Sequence, residues 1–423
     1  MKEMFYPRLR ETVHETTLPN GLRIKAIYRP EFEKFYAVIM VNCGSVDNIY
    51  CRNGETVRMP EGIAHYLEHK KFDLPEGSAD QLFAALGASS NAYTSYDFTA
   101  YYFQTTDHRA EALQVLLRMV LTPCFTQESV QKEQGIIAQE IKMAADDPYD
   151  RLNELHMEAA FPGNPLAAPI LGTEQSISRI TPELLQRWYL DFYRPDNMVL
   201  CVEGALAPEE VAAIASAVPA PERTGEVESL FDGAPSAPPL IGTRIFRRDV
   251  SMPTFKLSFP VPDQAPENQR FEIAASLALE LLAGDSAECY RRLYESGLVD
   301  SGFGWDLVRY RRKTLFSFSG DSSDPEAVCA SICTAAEDLR NHGIPSEDLT
   351  RLKRSMLGRE LRDLDSFSVN CIRLAESTIC GQDYYRFPEI IEEITAAEIL
   401  DLLRFIVREQ ATLTIIAPKE ESQ

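Results

Sequence analysis

The chain has 423 residues, 45% of them apolar and 25% charged, with 42 basic and 64 acidic side chains and a net charge of −22. This length exceeds one ordinary core and predicts two domains of a soluble globular protein, and the acidic balance argues against nucleic-acid binding, which needs a basic surface. No apolar run approaches the roughly 18 residues of a membrane span, so no membrane partner is expected.

The N-terminal run Met1-Lys-Glu-Met-Phe-Tyr-Pro-Arg carries mixed charge and lacks the apolar segment of a secretory signal. Two strand-like runs follow, at 22–27 and 36–42. Cys43 and Cys51 match no zinc spacing, and nine scattered cysteines without a C-x-x-C pair predict free thiols in a reducing cytoplasm. From Gly62 the pattern Gly-Ile-Ala-His-Tyr-Leu-Glu-His-Lys predicts a helix. Residues 87–103 then read as a hairpin rich in β-forming side chains.

A helix is predicted over 129–145, a strand over 198–203 and a helix over 208–217. Pro, Gly and Ser punctuate 219–225 and 232–239, which marks an extended connector. The second half opens again with strands, at 243–247 and 255–259, continues with helices near 267–283 and 325–340, and closes on a strand at 412–417. Strands and long helices without regular alternation indicate an α+β class: two related domains, 1–218 and 244–423, joined by a linker at 219–243. Each is expected to be a mostly antiparallel sheet covered on one side by helices.

The most informative motif is His65-Tyr-Leu-Glu68-His69. On a helix, positions 65 and 69 are i,i+4 neighbours, and their imidazoles can hold one ion together. Glu68 stands beside them as a candidate base. This is the H-x-x-E-H order, the inverse of the common zinc-protease motif. A catalytic zinc usually takes three protein ligands, so a third must come from another element. Glu133 and Glu140 share one face of the 129–145 helix, and either could serve.

Gly62-Ile-Ala-His-Tyr-Leu-Glu-His, Asn91-Ala-Tyr-Thr-Ser, the pair Glu133 and Glu140, residues 165–172 and the run Tyr193-Arg-Pro-Asp-Asn-Met-Val together resemble the pitrilysin/insulinase family of inverted-motif zinc peptidases. The resemblance covers nearly all of the first half and is to short bacterial processing-peptidase-like members. It implies Zn2+ held by His65, His69 and Glu140, with Glu133 in a supporting place and Glu68 as general base. It also implies that the strand around Asn91 and Ala92 borders the site and pairs with an extended substrate.

The second half departs from the family. Members that complete catalysis there carry an Arg and a Tyr seven residues apart. Here the comparable run, Gly284 to Ser301, has Tyr294 at the Arg place and Asp300 or Ser301 at the Tyr place, while Arg291 and Arg292 fall out of register. The expected protein is therefore a zinc endopeptidase subunit that cleaves peptides or unfolded polypeptides in an enclosed chamber, with a related partner subunit carrying the Arg/Tyr pair. A non-catalytic scaffold or chaperone subunit and a self-sufficient homodimeric peptidase are the competing readings.

Overall fold

Two seven-residue strands buried at every position, Phe35–Val41 and Met198–Gly204, mark the centre of the first sheet. The computed structural model describes residues 1–221, 225–231, 237–263 and 268–419. It divides into two units: Met1–Ile141 with Pro169–Gly233 and Glu360–Tyr385, and Lys142–Ala168 with Ala234–Arg359 and Arg386–Gln423.

The sheet of the first unit is built from β1 (Lys2–Tyr6), β2 (Glu11–Thr17), β3 (Arg23–Tyr28), β4 (Phe35–Val41), β5 (Ser89–Thr94), β6 (Thr99–Thr105) and β7 (Met198–Gly204). Their order is β1-β2-β3-β7-β4-β6-β5. The pair β3/β7 is parallel and its neighbours are antiparallel. The hairpin β1–β2 has no counterpart in the sequence reading, because its strands, the edge strand β1 and its neighbour β2, are rich in charged and polar residues with few buried apolar positions.

Near-continuous apolar runs such as those of β4 and β7 are the signature of strands covered on both faces. Phe35, Ala37, Ile39 and Val41 enter a core with Ile24, Leu200 and Phe103. Tyr36, Val38 and Met40, on the opposite face, are equally buried. There the helix Phe367–Ile379 packs on β4 and β7. The expectation of one-sided cover is thus corrected at the centre of this sheet: the second cover arrives from a segment far along the chain. Asn370 ties that helix down, donating from Nδ2 to the buried carboxylate of Glu203 at 2.9 Å. Tyr385 donates to Asn370 Oδ1 at 2.7 Å, and Arg29 pairs with Glu203 at 3.1 Å and also with Glu11.

The second unit holds β8 (Gly242–Arg248), β9 (Thr254–Val261), β10 (Gly304–Tyr310), β11 (Lys313–Asp321) and β12 (Thr412–Pro418), in the order β8-β12-β9-β11-β10. The pair β8/β12 is parallel and the other pairs are antiparallel. This repeats β3-β7-β4-β6-β5 strand for strand, which is the shared order expected of two related halves. The helix Gln269–Ala283 packs against β10, and the helix Pro148–Ala160 packs on β9 and β12.

The strands follow the sequence halves, but the packing exchanges 142–168 and 360–385 between units. Residues 222–224 and 232–236 of the expected connector lie outside the described residues. Within it, Val227–Ser229 is a strand paired antiparallel with 50–52. Among the described residues, no helix is long and apolar enough to cross a membrane.

Candidate metal centre

The site lies in the first unit, on two helices. Helix α1 (Ile63–Lys70) starts at Gly62, whose φ of 85° favours glycine. A Cβ there would stand 2.5 Å from the carbonyl oxygen of Leu171. Gly172 mirrors the contact, since its Cβ would stand 2.6 Å from the carbonyl oxygen of Glu61. The two glycines let the 169–172 loop support the first turn of α1. Helix α2 (Gln127–Asp146) lies alongside. The phenol of Tyr66 donates to the carbonyl of Val130 and joins the two helices. On α2, Val130 and Ile137 are buried, whereas Ile136, part of the same apolar pattern in sequence, is 48% exposed.

This packing turns the carboxylates of α2 toward the imidazoles of α1. His65 Nε2 lies 3.6 Å from Glu140 Oε1, and His69 Nε2 lies 3.5 Å from Glu140 Oε2. Donor atoms of the three residues all lie within 4.8 Å of one another. Donors on one tetrahedral zinc stand about 3.4 Å apart, so the observed separations suit that ion with small adjustments. Glu133 does not join this set. It accepts a hydrogen bond from His69 Nδ1 at 3.0 Å, which leaves the Nε2 lone pair of His69 on the donor side.

Electrostatics agree with that division. Burial, reinforced by the neighbouring His69, pushes His65 down to about 4, so its imidazole is neutral and able to ligate. Burial also works against a charged His69, but hydrogen bonds to Glu133 and Glu140 outweigh it and raise that ring to about 9. A cation would have to displace this proton. Glu140 and Glu133 are both lowered, chiefly by their hydrogen bonds with His69. The nitrogen and carboxylate donors therefore fit a divalent zinc-like ion.

Glu68 is buried beside this set and is not one of its donors. Burial raises its pKa, and a hydrogen bond from Thr94 Oγ1 at 2.7 Å partly offsets the shift. A carboxylate raised in this way is a better proton acceptor near neutral pH than an ordinary one. Thr94 lies at the end of β5, the edge strand of the sheet. The sequence reading points to Asn91 and Ala92 and misses Thr94. The signal was present in strand alternation, which puts 92 and 94 on one face and 91 on the other. Ala92 packs partly on the core, while Asn91 is exposed and its side chain accepts a hydrogen bond from the backbone N–H of Ala92 at 2.8 Å.

The 284–301 run belongs to the second unit. Arg291 and Arg292 pair with Glu288 on the same helix, Glu288–Glu295, and Tyr294 is exposed. These arginines form a solvated helix face.

Fold and site together define a two-unit α+β protein with an inverted His-x-x-Glu-His helix whose histidines, with Glu140, could hold a metal ion. Comparison with known proteins places it further. Residues 33–174 match the profile of Insulinase (Peptidase family M16), and 179–356 match that of the Peptidase M16 inactive domain. The chain is 30% identical to the uncharacterized zinc protease YmfH of Bacillus subtilis, over 99% of this chain and 100% of that one. It is 25% identical to a second uncharacterized zinc protease of that organism, YmxG, over 95% and 97% of the two chains. An M16-like protein of Alicyclobacillus acidocaldarius has the same fold, with a TM-score of 0.91 and 28% identity over 96% of this chain and 98% of that one. The chain belongs to the insulinase (M16) peptidase family.

Proposed function

We propose that this chain is the metal-bearing subunit of a zinc endopeptidase that hydrolyses peptide bonds of small proteins or peptides in an enclosed chamber. The observation that carries the reading is the convergence of His65, His69 and Glu140 on one point with Glu68 beside them. Zinc bound there would act as a Lewis acid toward a peptide carbonyl and make water a stronger nucleophile. Glu68 takes the proton of the attacking water and returns it to the departing amine, with Thr94 fixing one carboxylate oxygen. The free edge of β5 offers main-chain hydrogen bonds to an extended substrate, with Asn91 and Ala92 on that strand.

The altered 284–301 run supports a related partner subunit that carries the Arg/Tyr pair. Free thiols at all nine cysteines support a reducing, cytoplasmic setting. The test is Glu68→Gln, assayed with the zinc-loaded chain and its co-purified partner on an unfolded polypeptide. Cleavage should fall by at least about a thousandfold while zinc stays bound. Wild-type-like cleavage by the variant would remove Glu68 from the mechanism. Full activity of the isolated chain would replace the partner with a homodimer.

A further inference from the structure

The two imidazoles of the donor set are held in different ways. His65 Nδ1 is buried and finds no hydrogen-bond partner among the described residues, so no bond at that nitrogen fixes its ring from behind. The ring of His69 is set by its bond to Glu133 Oε1 at 3.0 Å. Whatever holds Glu133 therefore sets how His69 Nε2 meets an ion.

Glu133 Oε2 lies 3.8 Å from the ammonium of Lys70, the residue that follows His69 on α1. The Lys70 side chain is 1% exposed. Its Nζ also donates to the carbonyl of Ser129, one turn before Glu133 on α2, at 3.3 Å, and pairs with Asp73. A cation this deep is costly without partners, and Asp73 already supplies one. The reach to Ser129 and Glu133 does something more: it places positive charge behind the carboxylate oxygen that His69 does not use. Carboxylates that bond a ligating histidine in this way tune its orientation and basicity, and their loss typically costs ten- to a hundredfold in metal affinity.

We infer that Lys70 is a positioning residue for the metal ligand His69 and acts through Glu133. The inference rests on the metal centre proposed above. The ammonium holds Glu133 in its acceptor pose, and the chain Lys70–Glu133–His69 fixes one ligand of three from behind. It also balances one of the two negative charges that α2 brings to the site.

The experiment is a Zn2+ titration of the full chain against a competing chelator indicator, comparing wild type, Lys70→Met, Glu133→Gln and the double variant. Lys70→Met should weaken zinc binding about ten- to a hundredfold. The double variant should bind within about threefold of Glu133→Gln alone, because both changes break one chain. Unchanged affinity in Lys70→Met overturns the inference, and so does a double-variant loss equal to the product of the two single losses. If Lys70→Met yields no folded protein, Lys70→Gln carries the same titration in both backgrounds. Wild-type chain that takes up no stoichiometric zinc would refute the metal centre itself, a result separate from the behaviour of the variants.

Discussion

A histidine outside the candidate site gives the clearest energetic test of the fold. His156, on the helix Pro148–Ala160, has no exposed surface. Its two ring nitrogens meet Ser258 Oγ at 2.8 Å and Thr414 Oγ1 at 3.0 Å, on β9 and β12. Burial, with Lys256 adding repulsion, lowers its pKa to about 3. The folded value lies below the unfolded one near 6.5, so the stability is fully present above pH 6.5 and is lost as pH falls from there toward 3. Each pH unit in that window removes about 1.4 kcal/mol, or about 2 kcal/mol between pH 7 and pH 5. His156→Gln keeps hydrogen-bonding capacity but does not titrate. Urea unfolding at pH 7, 6 and 5, read as hydrogen-exchange protection of peptides from β9 and β12, should show this extra loss in wild type and not in the variant. Equal losses in both proteins would refute the argument.

Other perturbations test the candidate site and its support. Gly62→Ala forces a left-handed φ on a residue with a Cβ and drives that atom into the Leu171 carbonyl. It should cost about 2–4 kcal/mol in denaturant stability, and a cost under about 0.5 kcal/mol would refute the close approach. Thr94→Val removes the hydrogen bond that favours ionised Glu68, so the acid limb of the kcat/KM profile for peptide cleavage should move to higher pH; an unmoved limb would detach Thr94 from the base. Asn370→Ala leaves the buried Glu203 carboxylate short of a donor and should lower stability by about 1–3 kcal/mol, seen first as faster exchange in the helix Phe367–Ile379.

The sequence by itself determined whatever depends on local spacing. His65 and His69 fall one helical turn apart because a helix repeats every 3.6 residues, and Glu133 and Glu140 share a face for the same reason. Apolar runs marked the central strands of both sheets, and their repeated order exposed two related halves. Between Glu133 and Glu140, spacing could not decide which carboxylate meets both imidazoles at Nε2; family resemblance favoured Glu140. The packing of α2 on α1 sets Glu140 there and Glu133 behind His69. The same is true of Thr94 on Glu68 and of Lys70 on Glu133, where a side chain reaches across an inter-element gap that no periodicity describes. It is true also of the helices Pro148–Ala160 and Phe367–Ile379, each covering a sheet formed largely from the other half of the sequence. Such an exchange leaves no local trace, because an amphipathic helix carries the same pattern whichever apolar face it covers.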